Sequence, residues 1–290
     1  MLDPVARLRR FNRAVALEIG ALDQSYLGRG RPLGVARMLT GIGPEGAEVG
    51  QLLGALGIDK AQLSRGLQSL EAEGLIMLAA DPGDGRRRIA RLTEAGKAEV
   101  AEYERLSQDF AAEILSRHPR MSRLLDAMDL IASTLGQERI ALAETDPTDP
   151  ASVHCLGRYY AELAERFAQG FDVNLSRDPD AADMRAPRGG FLVAWSDGIP
   201  LGCVGLKGQG GAVAEVKRLW IAPAARGLGL SHRLMDRIED MARGLEIATL
   251  RLDTNSALHE AVALYRGRGW AEIDRFNDDP YPDHFFEKHL

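Results

Sequence analysis

The sequence predicts two domains, a mainly helical domain over residues 1–145 and an α/β domain over residues 146–290. Apolar residues at helical spacing dominate the chain up to about residue 142. A segment rich in prolines and acids follows at 144–152, and strand and helix patterns alternate beyond it. The length of 290 residues suits two domains, because a domain typically takes about 100–200 residues.

The composition excludes several classes of protein. The chain has 36 Lys and Arg against 42 Asp and Glu, and neither half is basic, so nucleic-acid binding must depend on a local patch. There is no run of about 18 apolar residues, so no membrane span is predicted. Two cysteines, Cys155 and Cys203, form neither a disulfide framework nor a four-thiolate zinc site. We therefore expect a cytoplasmic protein without a metal centre.

A helix-turn-helix pattern lies inside the first domain. The spacing predicts helices over 5–26, 32–40, 47–56 and 60–73. Gly57 separates the last two, and Asp59 is the expected N-cap of the last one. The outer face of that helix carries side chains that hydrogen-bond to phosphates and base edges, namely Lys60, Gln62, Ser64, Arg65 and Gln68. An ordinary helical bundle shows the same pattern, which leaves that alternative open.

A predicted β-hairpin follows the second of these helices. Its strands are expected over 75–80 and 86–92, joined by a turn rich in Asp, Pro and Gly. Arg86, Arg87 and Arg88 begin the second strand. Clustered arginines at this place neutralise backbone phosphate or enter a minor groove. The alternative is a solvated charged hairpin.

The segment DPGDGRRRIARLTEAG resembles the wing of the MarR family of winged-helix regulators, which runs D-P-R-D-x-R and ends in L-T-x-x-G. The positions in register are Asp81, Pro82, Asp84, Arg86, Leu92, Thr93 and Gly96. Gly83 stands where the family often has arginine. The resemblance covers about residues 5–143 and implies a winged helix that binds double-stranded DNA.

Two further helices are predicted over 94–116 and 121–142, with more apolar residues than one small core can bury. Members of the MarR family dimerise through their first and last helices, so the resemblance implies a homodimer. Packing of these helices against the second domain is the alternative.

A strand, a tight glycine turn and a helix follow one another in the second domain. Residues 215–221 alternate as a strand, 226–231 form the turn, and apolar residues from Leu230 onward have helical spacing. The N–H groups that begin a helix have no helical partner, so this arrangement suits a phosphate. The turn lacks the Lys-Ser/Thr of nucleotide triphosphatases. It also lacks the G-x-G-x-x-G of dinucleotide folds, since His232 holds the third position.

The turn resembles the R/Q-x-x-G-x-G/A pyrophosphate loop of the GNAT acetyltransferases, with Arg226 first, Gly229 fourth and Ser231 sixth. The later segment NSALHEAVALYRGRGW resembles the second half of that family's signature, with Asn255 and Tyr265 at the marked positions. The resemblance spans about residues 149–290. It implies an α/β fold with a mixed, mostly antiparallel sheet and acetyl-CoA as the acetyl donor.

The resemblance also implies roles for particular residues. Tyr265 would protonate the leaving thiolate, since a phenol with a pKa near ~10 is of similar basicity. Glu215 is a candidate general base. Two alternatives have equal weight: that Glu215 is only a surface carboxylate of the strand, or that it anchors a charge on the substrate. The expected coenzyme contacts are Leu219, Ile221, Arg226, Gly227, Leu228, Gly229, Leu230, Ser231 and Asn255.

Together these patterns predict a bifunctional regulator and N-acetyltransferase that acts on a small primary amine. Tyr159, Tyr160 and a group of tail residues are candidates for the acceptor pocket, the latter being Tyr281, Asp283, His284 and Phe286. Glu162 and Arg166 suit an amino-acid-like amine. Two alternatives remain: an acetyl-CoA or amine sensor that controls DNA binding without turnover, and an enzyme whose first domain only dimerises.

Overall fold

The computed structural model describes residues 3–81, 83–84, 87–117, 119–175, 182–208 and 210–290. The chain divides into two compact units, Met1–Pro119 and Arg120–Leu290. Each has its own buried core.

The first unit contains five helices and a small antiparallel sheet within its described residues. In chain order these are α1 (Pro4–Glu18), α2 (Leu33–Thr40), β1 (Ala47–Glu48), α3 (Val49–Leu56), α4 (Lys60–Ala72), β2 (Ile76–Ala80), β3 (Arg88–Leu92) and α5 (Glu94–Arg117). The strand order is β1-β3-β2. Gly57, with φ of +63°, ends α3, and the carboxylate of Asp59 accepts the Gln62 N–H at 2.8 Å to cap α4. The predicted helix-turn-helix and hairpin are therefore both present.

Two helix boundaries of this unit differ from the prediction. The first helix ends at Glu18 instead of residue 26, and Gly20 follows it in the left-handed region at φ +59°. Residues 47–48 form a short strand against β3 before α3 begins. Pro82 and Arg86 of the predicted wing lie outside the described residues.

Thr93 joins the hairpin to α5. Its hydroxyl accepts the N–H of Gly96 at 3.0 Å and donates to the carbonyl of Gly74 at 2.7 Å. A side chain at position 96 would collide with the Leu75 carbonyl oxygen, so glycine is required there. The two residues therefore cap α5 and let it approach the start of β2 closely.

The second unit is a seven-stranded sheet with helices packed on it. In chain order its elements are α6 (Met121–Leu135), β4 (Ala141–Glu144), α7 (Pro150–Arg166), β5 (Gly190–Ser196), β6 (Ile199–Gly208), β7 (Val213–Ile221), α8 (Leu230–Gly244), β8 (Thr249–Thr254), α9 (His259–Gly267), β9 (Ala271–Glu272) and β10 (His284–His289). The strand order is β4-β5-β6-β7-β8-β10-β9. Only the β7–β8 pair among the described strands is parallel, so the sheet is mixed and mostly antiparallel, as predicted.

The chain between 121 and 145 departs from the predicted helix. Helix α6 ends at Leu135 with Gly136 as its C-cap, and residues 141–144 form β4 along the edge of β5. Ile140 is buried in the core of the second unit. Apolar residues two apart at 140 and 142 fit a strand, but they continue the helical spacing of α6 closely enough to hide the change. Residues 120–144 thus pack with the second unit, although the predicted domain division at 145/146 assigned them to the first.

The cap on α5 gives a test of this local packing. We expect Thr93→Ala to destabilise the protein by about 1 kcal/mol, because the Gly96 N–H loses its partner. The measurement is urea unfolding followed by circular dichroism. Thr134→Ala is the matched control, since the Thr134 hydroxyl bonds only the Leu130 carbonyl of its own helix. An equal change in both variants would contradict the cap's role.

Candidate active site

The site begins where β7 and β8 part. Their parallel pairing covers three residue pairs and ends at Glu215 opposite Arg251. Beyond it, β7 continues to Ile221 while keeping its pairs with β6. The pairing with β6 is irregular between Cys203 and Gly205, and Arg218, on β7 within this irregular stretch, has φ of +60°, which is strained backbone for a side-chain-bearing residue. A groove therefore opens beside the last residues of β7.

The predicted phosphate turn closes one end of this groove. Gly227 and Gly229 have φ of +77° and +72°, and Gly229 is the N-cap of α8. A Cβ at either position would meet no atom within 4 Å, so glycine is needed for its backbone conformation and not for space. Gly229, Leu230 and Ser231 line the groove, so the N-terminus of α8, with its unpaired N–H groups and the positive end of its dipole, lies at the groove.

The groove is a cavity of about 480 Å³ between β7, α7, α9 and the turn. Seven of the predicted coenzyme residues line it, namely Leu219, Ile221, Arg226, Gly227, Gly229, Leu230 and Ser231. Leu228 does not line the cavity and packs against the core instead. The predicted strand, turn and helix therefore come together at one concave surface.

Arg226 is held by two contacts. Its Nε donates to the Ile221 carbonyl at 3.1 Å, and its guanidinium pairs with the Glu162 carboxylate. Glu162 also accepts the indole N–H of Trp220 at 3.1 Å and a bond from Arg166 at 3.2 Å. The carboxylate thus fixes Arg226 beside the turn, and the Ile221 carbonyl is engaged by this arginine.

A second cavity of about 330 Å³ contains Glu215. The Glu215 carboxylate lies 3.0 Å from the Lys217 ammonium, which also donates to both oxygens of Asp253 at 2.9 Å. The Asn277 amide donates to Asp253 at 2.6 Å. Burial disfavours the charge on Lys217, but the two carboxylates outweigh it and raise the pKa of Lys217. The candidate base is therefore part of a half-buried charge network.

Tyr159 borders both cavities. Tyr265 is buried in the core, with ring centroids 5.8 Å from Phe286 and 6.0 Å from Trp270, and it lines neither cavity. Burial, assisted by negative charge at Asp253, raises the pKa of Tyr265. Burial also raises the pKa of Tyr159, with further contributions from Tyr265 and Asp253. Both phenols therefore stay protonated at neutral pH.

Asn255 lies in the 330 Å³ cavity and not in the groove. Its amide nitrogen donates to the Tyr281 carbonyl at 2.6 Å, and its amide oxygen accepts the Ala257 N–H at 2.8 Å. Both ends of the side chain are thus used in holding neighbouring backbone. Its predicted contact with a coenzyme stays a prediction.

The residues expected around an acceptor are only partly brought together. Tyr159, Tyr160 and Tyr281 line the 330 Å³ cavity, whereas Glu162 and Arg166 line the groove and pair with each other. The remaining three lie elsewhere: Asp283 accepts from Ser256, His284 pairs with Glu272, and Phe286 is buried in the core.

Sequence reasoning missed Lys217 and Asp253. A signal existed for Lys217, because positions 215 and 217 are charged on either side of the buried Val216. Nothing in the spacing linked this strand to Asp253. The pairing of β7 with β8, which the sequence does not specify, brings the two side chains together.

The five predicted DNA-contacting side chains on α4, at positions 60, 62, 64, 65 and 68, are exposed. Arg88 is also exposed. Arg87 lies 3.5 Å from Glu48 and 3.4 Å from Asp84, so its charge is partly balanced on the surface. The face of α4 therefore offers polar and basic groups to solvent.

Two negative findings concern the described residues. Among them there is no cluster of three or more His, Cys, Asp or Glu that suits a metal ion. None of their helices has both the length and the apolar character needed to cross a bilayer.

Known proteins match each half of the chain. Residues 156–270 match the family model described as acetyltransferase (GNAT) family, and residues 30–87 match the model described as MarR family. The "IAA acetyltransferase" of Azospirillum brasilense is 38% identical over 160 residues, which cover 52% of this chain and 98% of that protein. "N-alpha-acetyltransferase RimI" of Mycobacterium tuberculosis is 30% identical over 136 residues, covering 44% and 84%. A GNAT family acetyltransferase from Elizabethkingia anophelis, solved with acetyl-CoA bound, is 18% identical with a TM-score of 0.38, covering 52% and 98%.

The structure and these matches define a class of protein in which a winged helix precedes an acyltransferase fold. The chain belongs to the GNAT acetyltransferase family, and its residues 30–87 match the model of the MarR family. It is an acyltransferase. Both predicted resemblances are thus confirmed.

The half-buried charge network around Lys217 gives a second test. Lys217→Met leaves two half-buried carboxylates without their cation, so we expect a loss of about 1–3 kcal/mol of unfolding free energy at pH 7. Adding Asp253→Asn should recover part of this loss. Because the pKa of Lys217 is raised, its contribution is fully present below the ordinary lysine value of about 10.4 and is lost only at higher pH.

The measurement is urea unfolding of the wild type and both variants between pH 6 and pH 9. The difference between wild type and Lys217→Met should stay constant over this range. A difference that disappears by pH 9 would contradict the raised pKa.

Proposed function

We propose that the second unit transfers an acetyl group from acetyl-CoA to a small primary amine. The observation that carries the proposal is that two cavities adjoin at Tyr159, and that the larger one ends at a helix N-terminus built to hold phosphate. Acetyl-CoA would enter the larger cavity and the amine the smaller. The thioester and the amine then meet beside Tyr159.

In this proposal the coenzyme pyrophosphate binds the N–H groups of residues 227–231, and Arg226 adds positive charge beside it. The free edge of β7 near Leu219 and Ile221 holds the pantetheine arm. Backbone N–H groups there stabilise negative charge on the tetrahedral intermediate. The support is the end of the β7–β8 pairing at Glu215, which leaves this edge without a strand partner on that side.

The amine must lose a proton before it attacks, and the thiolate must gain one. We propose Glu215 as the base, acting directly or through water, with Lys217 holding its carboxylate in place. We propose Tyr265 as the acid because it holds the marked position of the family signature, although it lines neither cavity. Tyr159, which borders both cavities, is the competing donor.

We propose that the first unit binds double-stranded DNA as a homodimer in the cytoplasm. The exposed side chains of α4 and Arg88 would contact DNA, and Arg87 would exchange its acidic partners for phosphate. Helix α1 has no buried residue, and its apolar side chains are exposed at Val5, Leu8, Phe11, Val15 and Leu17. Such a face favours burial against a second copy.

A sensor function is the second candidate, because a regulator region and a coenzyme groove occur in one chain. A screen of amines with acetyl-CoA, with DNA binding measured beside it, separates the two. Turnover supports the enzyme. A change in DNA affinity with coenzyme but no turnover supports the sensor.

The two phenols give a third test. We expect Tyr265→Phe to lower kcat by about 10²–10⁴ with little change in the KM for acetyl-CoA, because only proton transfer is lost. Tyr159→Phe is the matched variant, and it should cost less if Tyr265 is the acid. The measurement is steady-state kinetics with the best amine from the screen. A larger loss of kcat in Tyr159→Phe than in Tyr265→Phe would assign the role of general acid to Tyr159.

The face of α4 gives a fourth test. We expect Arg65→Ala to weaken DNA binding and to reduce the slope of log affinity against log salt by about one if the side chain contacts phosphate. Arg105→Ala is the control, because Arg105 is an exposed arginine of α5 paired with Glu102 and Asp109. Binding is measured by fluorescence anisotropy with a fragment selected from genomic DNA. An unchanged affinity in Arg65→Ala would remove α4 from the interface.

A further inference from the structure

Four aromatic rings form one side of the 330 Å³ cavity. We call Tyr160, Phe167, Phe171 and Tyr281 the aromatic wall. Phe171 contacts the other three, with ring centroids 5.7 Å from Tyr160, 6.1 Å from Phe167 and 4.7 Å from Tyr281. The four rings therefore form one continuous aromatic surface along the cavity, and the Arg218 guanidinium lies 5.9 Å from the Tyr160 ring centroid at one end of it.

The wall is fixed before any ligand enters. The Tyr281 hydroxyl accepts the N–H of Asp172 at 2.9 Å, and the Tyr281 carbonyl accepts the Asn255 amide at 2.6 Å. Tyr160 stacks on Phe171 with only 18° between the ring planes. A ligand that packs here meets a low ordering cost, since the rings are already positioned.

The charged side of the cavity is largely compensated. Lys217 lies between Glu215 and Asp253, and the Asn277 amide donates to one of the two Asp253 oxygens that Lys217 also contacts. These groups bind one another, so they offer weak selection for a highly charged acceptor. The stronger selection comes from the aromatic wall, because burying apolar area and stacking rings are both favourable there.

The position of Tyr159 determines how the acceptor is oriented in the cavity. Its ring centroid is 5.6 Å from that of Tyr160, at the end of the wall, and it also borders the groove. The reacting amine must lie at this end to reach the thioester. The rest of the acceptor then extends along the wall.

We propose that the acceptor is an arylalkylamine-type molecule, whose amine lies beside Tyr159 and whose planar aromatic group packs on the aromatic wall. This inference rests on the proposed acetyl transfer. A cavity of 330 Å³ accommodates one aromatic ring with a short chain. Nitrogen attacks the thioester carbon, the C–S bond breaks, the thiolate takes a proton, and the amine proton leaves to the base.

The test compares three amines with the full-length protein: 2-phenylethylamine, 2-cyclohexylethylamine and ethylamine. Turnover is measured with acetyl-CoA, and binding is measured by calorimetry in the presence of CoA. We expect kcat/KM to be highest for 2-phenylethylamine. It should exceed that of the cyclohexyl compound by roughly tenfold, the upper range of an aromatic contact, and that of ethylamine by more.

Phe171→Leu should abolish most of the preference for the phenyl over the cyclohexyl compound. Ethylamine turnover should change less, since ethylamine has no ring to pack on the wall. Phe276→Leu is the matched control, because Phe276 packs on Phe285 and lines neither cavity. Thermal unfolding of both variants checks that they fold. A preference that survives Phe171→Leu would overturn the proposal.

A failure of the aromatic-acceptor proposal can be distinguished from a failure of the proposed acetyl transfer. Equal or greater turnover of ethylamine would overturn the aromatic acceptor while supporting acetyl transfer. Tight, Phe171-dependent binding of 2-phenylethylamine without turnover would support the aromatic site and count against the enzyme. Neither binding nor turnover of 2-phenylethylamine, with another amine acetylated, would also overturn the inference.

Discussion

The parting of β7 from β8 after three residue pairs is the constraint on which the site depends. A parallel pair that continued would satisfy the backbone of Leu219 and Ile221 with a neighbouring strand and leave no groove. Because the strands separate, one edge of β7 faces open space beside the helix N-terminus of α8. The backbone irregularity at Arg218 lies within the same stretch, where a change of twist re-aims the strand.

The polar side chains beside the point where β7 and β8 separate also require hydrogen-bond or charge partners. Lys217 meets this requirement by holding Glu215 and Asp253 at once, and Glu162 does so on the other side by holding Arg226 and Trp220. Each network joins elements that the chain places far apart. Such networks fix geometry more than they add stability, since removing one partner leaves an uncompensated charge.

Much of the fold could be predicted because its signals are local. The cap at Asp59 and the glycines at 227 and 229 each depend on a few neighbouring residues. The site was harder to predict from the sequence. Its contacts depend on strand pairing and helix packing between distant parts of the chain, as in the pairs Lys217–Asp253 and Arg226–Glu162. The strand at 141–144 was missed since its apolar spacing continued that of a helix.

That strand has a practical consequence for anyone who wishes to express the acetyltransferase half alone. Starting the fragment near residue 146 would remove β4 and strip β5 of its outer neighbour, along with the buried Ile140. The bared main-chain amides and carbonyls would then be open to pairing with other molecules, which leads to aggregation. A fragment beginning near residue 120 keeps β4 as the edge strand of the sheet.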